Sequence, residues 1–494
     1  LAVDLINEGG VMFRFFCLYA AIFLLTLTGC AKTQYHEAEE FLKTDGGDER
    51  QFHALVYYPR EHSLRYPGLI IGIEKSDSEA IRNGATNQSF LKSDDDVIAQ
   101  KTNGWLQDLL SNGRKSMFIS HVIESDRPQD PCLIFNAYDK KTKQGNIDCD
   151  KKEESSEKRE SDLGKNGADY ENGWVAIFEV RKKIEAALKN SGRYTHVVFL
   201  TMGWNTNQVE AVQNFNSLVM QLKSEATEPF NPYVIGVTWP SQWDSSWFEP
   251  IIRAGSLINK ANDADEIGAG WLGAILRYGV VPAARNKNVK LLVIGHSFGA
   301  RATSHAVCRG TLLKLPEDKA LLSAPALQKN DVWWLVGLQA AYSLNRFSKE
   351  GAGVMQKISY APQCETASHL LFTASSNDSA GKWSYTILGA PFAGSIGNWN
   401  SMRLGKKESR GSAPRYDFYS TQKSAGNPNY SACLDYSENN IDARFKYIDA
   451  SNIIKFNAYG TGAGAHSDIY RSETARMIWQ FIGEQKISTC TASN

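Results

Sequence analysis

The chain has no net charge: among its 494 residues, 54 Lys and Arg balance 54 Asp and Glu. That removes any electrostatic argument for nucleic acid or for an anionic membrane surface, and neither is expected as a direct partner. It has no C-x-x-C and no histidine pair at ligand spacing, so a metal centre is not expected. No repeat of fixed period is visible. What is present is an ordinary globular composition, 42% hydrophobic and 22% charged. The length allows a large core, organised as one large domain or as two or three smaller ones.

Near the start, Phe13-Arg14-Phe15-Phe16 leads into an apolar run from Cys17 to Leu25, then Thr26-Leu27-Thr28-Gly29-Cys30. A short cationic start, an apolar run and small residues at its end make a secretory signal. The run is short of the roughly 20 residues that a spanning helix needs. Leu27-Thr28-Gly29-Cys30 resembles the lipobox of bacterial lipoproteins, which implies cleavage before Cys30 and its lipidation; a plain signal peptide or an N-terminal anchor are the alternatives. Translation is expected to start at Met12. Ala31 stands where an inner-membrane retention signal would have Asp, so the expected place is the outer membrane, facing the periplasm. Beyond Cys30 lie Cys132, Cys149, Cys308, Cys364, Cys433 and Cys490. An even number in an oxidising compartment favours disulfides, in any of 15 pairings; Cys132 with Cys149 would staple a polar loop.

Residues 1–29 are expected to be the signal peptide, 30–165 an N-terminal extension, and 166–494 the main domain. In the extension, Phe52 to Tyr58, Leu69 to Ile73 and Ser116 to Ile123 are short apolar runs among Gly and Asp turns. They read as strands with one or two helices. Asp139 to Lys165 is almost all Lys, Glu, Asp, Ser and Gly, and reads as a solvated loop. After it, buried-strand runs (Thr195 to Thr201, Tyr233 to Trp239, Val289 to Ile294) alternate with helical patterns. The helical patterns are Trp174 to Leu188, Val209 to Leu222, Gly268 to Ala284 and Phe298 to Leu313. Ala320 to Ser323, His369 to Ala374 and Ile453 to Ala458 read as further short strands, and Tyr470 to Ile482 as a last amphipathic helix. Such alternation predicts an α/β fold with a mainly parallel sheet flanked by helices.

Within it lies Gly295-His296-Ser297-Phe298-Gly299, a G-x-S-x-G. Gly and Ser are common enough for the pattern to arise by chance about once in six or seven chains of this length. Its setting separates it from chance: a strand pattern precedes it and a helical pattern follows. A serine on such a turn needs small neighbours, and the helix N-terminus favours developing negative charge. Ala393-Gly394-Ser395-Ile396-Gly397 nearly repeats the pattern, but no buried strand immediately precedes it and no helix is expected after it, so Ser395 reads as loop.

A serine hydroxyl needs a base, and the base an orienting acid. Asp378 follows the strand His369 to Ala374; Asp331 is the rival, unless it caps a helix from Val332. His466 follows the last expected strand on a glycine-rich loop, Gly460 to Asp468; an exposed loop histidine is the alternative. His296 is expected to point away from a substrate, and His305 and His196 to be structural. The N–H of Phe298 and that of Gly203 or Trp204, in the loop after the strand at Thr195, would bind an oxyanion.

These residues together resemble the α/β-hydrolase superfamily of serine esterases and lipases, over roughly Thr195 to Gly483. Gly295 to Gly299 matches the lipase form of the elbow; Thr238-Trp239-Pro240-Ser241 and Ser376 to Ala380 are similar to bacterial hydrolases. The resemblance implies acyl transfer to water through Ser297, Asp378 and His466, with no cofactor and no metal. The family usually has His-Gly where this chain has Met202-Gly203. Trp239, Trp243, Trp247, Phe248 and Ile251, and Asp331 to Leu338, form aromatic stretches that read either as an acyl pocket or lid or as core packing. Two readings follow: a lipid-anchored serine hydrolase acting on an ester, or a hydrolase scaffold that binds at the cell envelope with little turnover.

Overall fold

Val197, Val198, Phe199 and Leu200 are all buried because successive side chains of one strand face two separate cores. Val197 and Phe199 enter one core; Val198 and Leu200 enter the other. That double burial is why the segment reads as an unbroken apolar run. The computed structural model describes residues 64–76, 116–125, 132–137, 171–190, 192–203, 208–239, 260–313, 315–316, 327–348, 358–360, 364–380, 391–404, 414–423, 429–437, 444–456 and 464–490.

The strands are β1 (Gly68–Ser76), β2 (Ser116–Glu124), β3 (Cys132–Asn136), β4 (His196–Thr201), β5 (Pro232–Thr238) and β6 (Lys290–His296). They continue with β7 (Val332–Leu338), β8 (Ala367–Ala374), β9 (Tyr416–Lys423), β10 (Tyr430–Ser437) and β11 (Phe445–Asp449). Among the described residues they form one sheet in the order β10-β9-β11-β8-β7-β6-β4-β5-β1-β2-β3. The run from β9 to β1 is parallel, and antiparallel strands close both edges. The fold is therefore a mostly parallel mixed sheet, and three strands from the first 165 residues belong to it.

Helices α1 (Asn172–Ala187), α3 (Lys260–Ala284) and α4 (Phe298–Cys308) pack into the core holding Val197 and Phe199. Helices α2 (Gln208–Ser224) and α6 (Ser472–Ile482) pack into the other. In α6, Ala475, Ile478, Trp479 and Ile482 form the stripe that helical periodicity requires. Helix α3 is long and apolar enough to cross a membrane, but it lies almost wholly inside the protein. A short helix, α5 (Ile396–Leu404), follows Ser395.

The chain runs from β4 to β5 in one direction along the sheet, then crosses back so that β6 and β7 lie on the other side of β4. The C-terminal ends of β4 and β6 therefore flank a topological switch point, where open α/β sheets form their clefts. Ser297 and Gly203 stand at those two ends.

A buried charge cluster fixes α4. Asp265 on α3 is fully buried and accepts paired hydrogen bonds from Arg301 on α4 and from Arg346, all at 2.6–3.1 Å. Burial alone would raise its carboxyl, but the two guanidinium groups hold it well below the usual carboxylate range. Asp265→Asn would leave two cations facing a neutral amide. It is expected to cost about 3–5 kcal/mol in urea unfolding.

Several expectations are corrected. Val332–Leu338 is strand β7, not a helix capped by Asp331; a short apolar run rich in aromatic and β-branched residues fits either element, and burial on both faces makes it a strand. Its Trp334 packs in the core against His369, ring to ring at 4.7 Å, so the stretch is core and not lid. Ile453–Ile454 is a turn that buries both isoleucines; the strand lies earlier, at β11. Ser395 does precede a helix, α5, although the described residues just before it, 391–394, are not a strand. The disulfides among described residues are Cys308–Cys364 and Cys433–Cys490. Cys132 is also disulfide-bonded; Cys149, its expected partner, lies outside the described residues. Cys30, Phe52 to Tyr58, Asp139 to Lys165, Trp204, Trp243 to Ile251 and Ala320 to Ser323 likewise lie outside the described residues.

Candidate active site

Ser297 sits between β6 and α4 with φ 56° and ψ −124°, a backbone geometry that side chains other than glycine rarely adopt. Its peptide is clamped by the far end of β7: its N–H donates to Leu338 O at 3.0 Å, and its carbonyl accepts from Ala341 N at 3.1 Å. Strain at this residue is thus held by its neighbours. Space is equally tight. A Cβ on Gly299 would fall 2.2 Å from Thr201 O, and one on Gly203 would fall 2.5 Å from Ser297 Cβ. Only glycine lets the ends of β4 and β6 approach this closely.

Three side chains from distant parts of the sequence converge. His466 Nε2 lies 2.8 Å from Ser297 Oγ, and His466 Nδ1 lies 2.8 Å from Asp378 Oδ2. A carboxylate can only accept, so Nδ1 carries the proton and Nε2 is left to accept from the serine. Asp378 is buried, whereas the His466 side chain keeps 14% exposure. The turn after β8 presents Asp378: Ser375 Oγ donates to Ile454 O and accepts from Asn377 N. The histidine loop is joined to that turn, with Ala465 N donating to Asn377 O and Gly464 bridging to Asp378.

The other expected residues separate clearly. Asp331 stands before β7, at the opposite end of the sheet, in a paired salt bridge with Arg285. His305 and His196 are buried; burial lowers their pKa values to about 3 and about 4, so both are neutral at physiological pH. His296 packs beside His466, ring centroids 4.9 Å apart, with its Nε2 3.0 Å from His466 O. Phe298 opens α4, whose first amides have no preceding turn to accept them. Gly203 lies against the serine, as described.

Met202 is anchored twice: its carbonyl accepts from Trp239 Nε1 at 2.9 Å, and its sulfur accepts from Tyr470 O–H at 3.0 Å. Nothing in the sequence marks either role. Gln339, whose amide donates to Asp378, carries no sequence signal either, because a glutamine at a strand end belongs to no motif. Trp239, buried, thus braces the end of β4.

Asp468, two residues beyond His466, is buried and accepts from the amides of Lys455 and Phe456. Burial raises its pKa to about 6 against the lowering pull of those amides. A raised carboxyl favours the folded state only while protonated: its contribution is full below about pH 4 and is lost as pH rises through about 6. Asp468→Asn keeps the acceptor and removes the titration. Its stability in urea should gain on the native protein's as pH rises from 4 to 7; a constant difference would assign the slope to other groups.

Among the described residues no group of His, Cys, Asp and Glu is arranged to hold a metal ion. No family model matches the chain, and no curated protein matches it. Among solved structures it is similar to Trichoderma reesei cutinase in complex with a C11Y4 phosphonate inhibitor, at 15% identity and a TM-score of 0.16. That overlap covers 38% of this chain and 68% of the cutinase chain, and is too slight to bear on fold family or activity.

Proposed function

We propose that this chain is an α/β-hydrolase that cleaves carboxylic esters, with Ser297 as nucleophile, His466 as base and Asp378 as orienting acid. The observation that carries the reading is the continuous hydrogen-bonded line from Ser297 Oγ through both nitrogens of His466 to Asp378. Ser297 Oγ attacks the ester carbonyl as its proton passes to His466 Nε2. Asp378 stabilises the imidazolium that results. The oxyanion is bound by the N–H of Phe298 and by that of Gly203 or Trp204. Collapse expels the alcohol, which takes the proton from His466 and leaves an acyl-serine. Water then attacks by the same route in reverse, releasing the acid and restoring Ser297.

A fluorophosphonate probe tests this directly, because it reacts with an activated serine. Labelling of the native protein that disappears in Ser297→Ala is expected; folded native protein that stays unlabelled would favour the binding-scaffold reading instead. p-Nitrophenyl esters of graded acyl length would then define the substrate class.

We further propose attachment to the bacterial outer membrane, facing the periplasm, by a lipid on Cys30. The two described disulfides fit an oxidising compartment of that kind. Labelled palmitate should enter the protein in a bacterial host and be lost in Cys30→Ala.

A further inference from the structure

We propose that Gln339 is a positioning residue that acts through Asp378 to set the basicity of His466; this rests on the serine-hydrolase reading above. Gln339 follows the last residue of β7 and is buried. Its Nε2 donates to Asp378 Oδ2 at 2.9 Å, the same oxygen that takes the His466 Nδ1–H. Its second amide hydrogen points to Gly394 O at 3.3 Å. Thr373 Oγ1 donates to its Oε1 at 3.0 Å and accepts from its backbone N–H at 2.9 Å. Every polar atom of the side chain is therefore engaged, which fixes both its amide orientation and its rotamer.

The backbone argues that this side chain has a use. Gln339 has φ +47°, in the left-handed region that glycine adopts without strain. A turn alone would be served better by glycine. Glutamine at this position accepts that conformation and directs a donor at the carboxylate.

The electrostatic consequence has a definite sign. A donor on Oδ2 withdraws charge from the oxygen that faces His466, so removing that donor should strengthen the oxygen's hold on an imidazolium. The donor also holds the carboxylate in the plane that meets Nδ1. Among the described residues, the titratable groups packed around His466 include His296, tilted against it from the end of β6, and Tyr470, 6.4 Å from the His296 ring. Asp468 on the same loop is turned to the amides of Lys455 and Phe456. Neither variant below touches any of the three.

Gln339→Met keeps the length and removes the donor. Thr373→Val leaves the glutamine but frees its amide to turn. The rate of fluorophosphonate labelling of Ser297 is measured against pH, with the labelled fraction as a count of competent sites. In Gln339→Met the acid limb should move upward by about half to one pH unit, and the plateau rate should fall about tenfold. Thr373→Val should move the limb in the same direction by less. An acid limb unmoved in the variants that fold, with only the competent fraction reduced, would make Gln339 purely structural and overturn the proposal. If Gln339→Met does not fold, the Thr373→Val limb decides alone. Native protein that takes no label fails the hydrolase reading itself, and this proposal with it.

Discussion

Replacing Ser297 with alanine is expected to lower kcat on a p-nitrophenyl ester by about 10⁶-fold, and His466→Ala by a similar factor. The two losses should not multiply. Once the hydroxyl is gone the base has nothing to activate, and without the base the hydroxyl stays protonated at 2.8 Å from an empty position. The double variant should match the singles, with the residue of activity supplied by the amides at the start of α4 and by substrate binding alone. Multiplying effects would mean that serine and histidine act independently. Alanine at 297 also has to adopt φ 56°, so urea unfolding must accompany the kinetics to keep stability apart from chemistry.

Asp378→Asn should cost about 10⁴-fold in kcat with little change in KM. The reason lies in the neighbours of one oxygen. Asp378 Oδ2 accepts from both His466 Nδ1 and Gln339 Nε2, and Asp378 is buried. An asparagine amide placed there opposes donor to donor on two sides. Turned over, it keeps one good acceptor but loses the charge that stabilises the imidazolium. Either outcome leaves His466 in the wrong tautomer or poorly supported at the step that needs it. A variant within tenfold of the native rate would remove Asp378 from the acid role.

Much of this was legible in the sequence where a signal is local. The elbow carries its glycines, its strand and its helix within twenty residues, and β4, β5 and β6 are apolar on both faces. The motif at Ser297, the place of Asp378 after β8 and the glycine-rich loop of His466 mark these residues in the sequence, although the strand expected at Ile453 is a turn; the structure links Ser297 to His466 and His466 to Asp378 by hydrogen bonds. What escaped depends on pairing across the chain. Strand β7 carries two tryptophans that suit a helix face equally well, and nothing in Asp331 to Leu338 announces which partners flank it. Strands β9 to β11 alternate polar and apolar residues too irregularly to stand out: Asp417 and Lys446 are buried there as a mutual ion pair. Strand β2 is legible as the apolar run Ser116 to Ile123, but its pairing with β1, far earlier in the chain, is encoded in no periodicity. Gln339 was invisible for a plainer reason: its role comes from a carboxylate 39 positions later.

The far end of β7 also governs how this site can move. Leu338 and Ala341 hold both sides of the Ser297 peptide, while Gln339, between them, holds Asp378, and the Asp378 turn in turn carries the His466 loop. The three groups are thus all linked to one four-residue segment, so a shift of the end of β7 would be passed to serine, aspartate and histidine together.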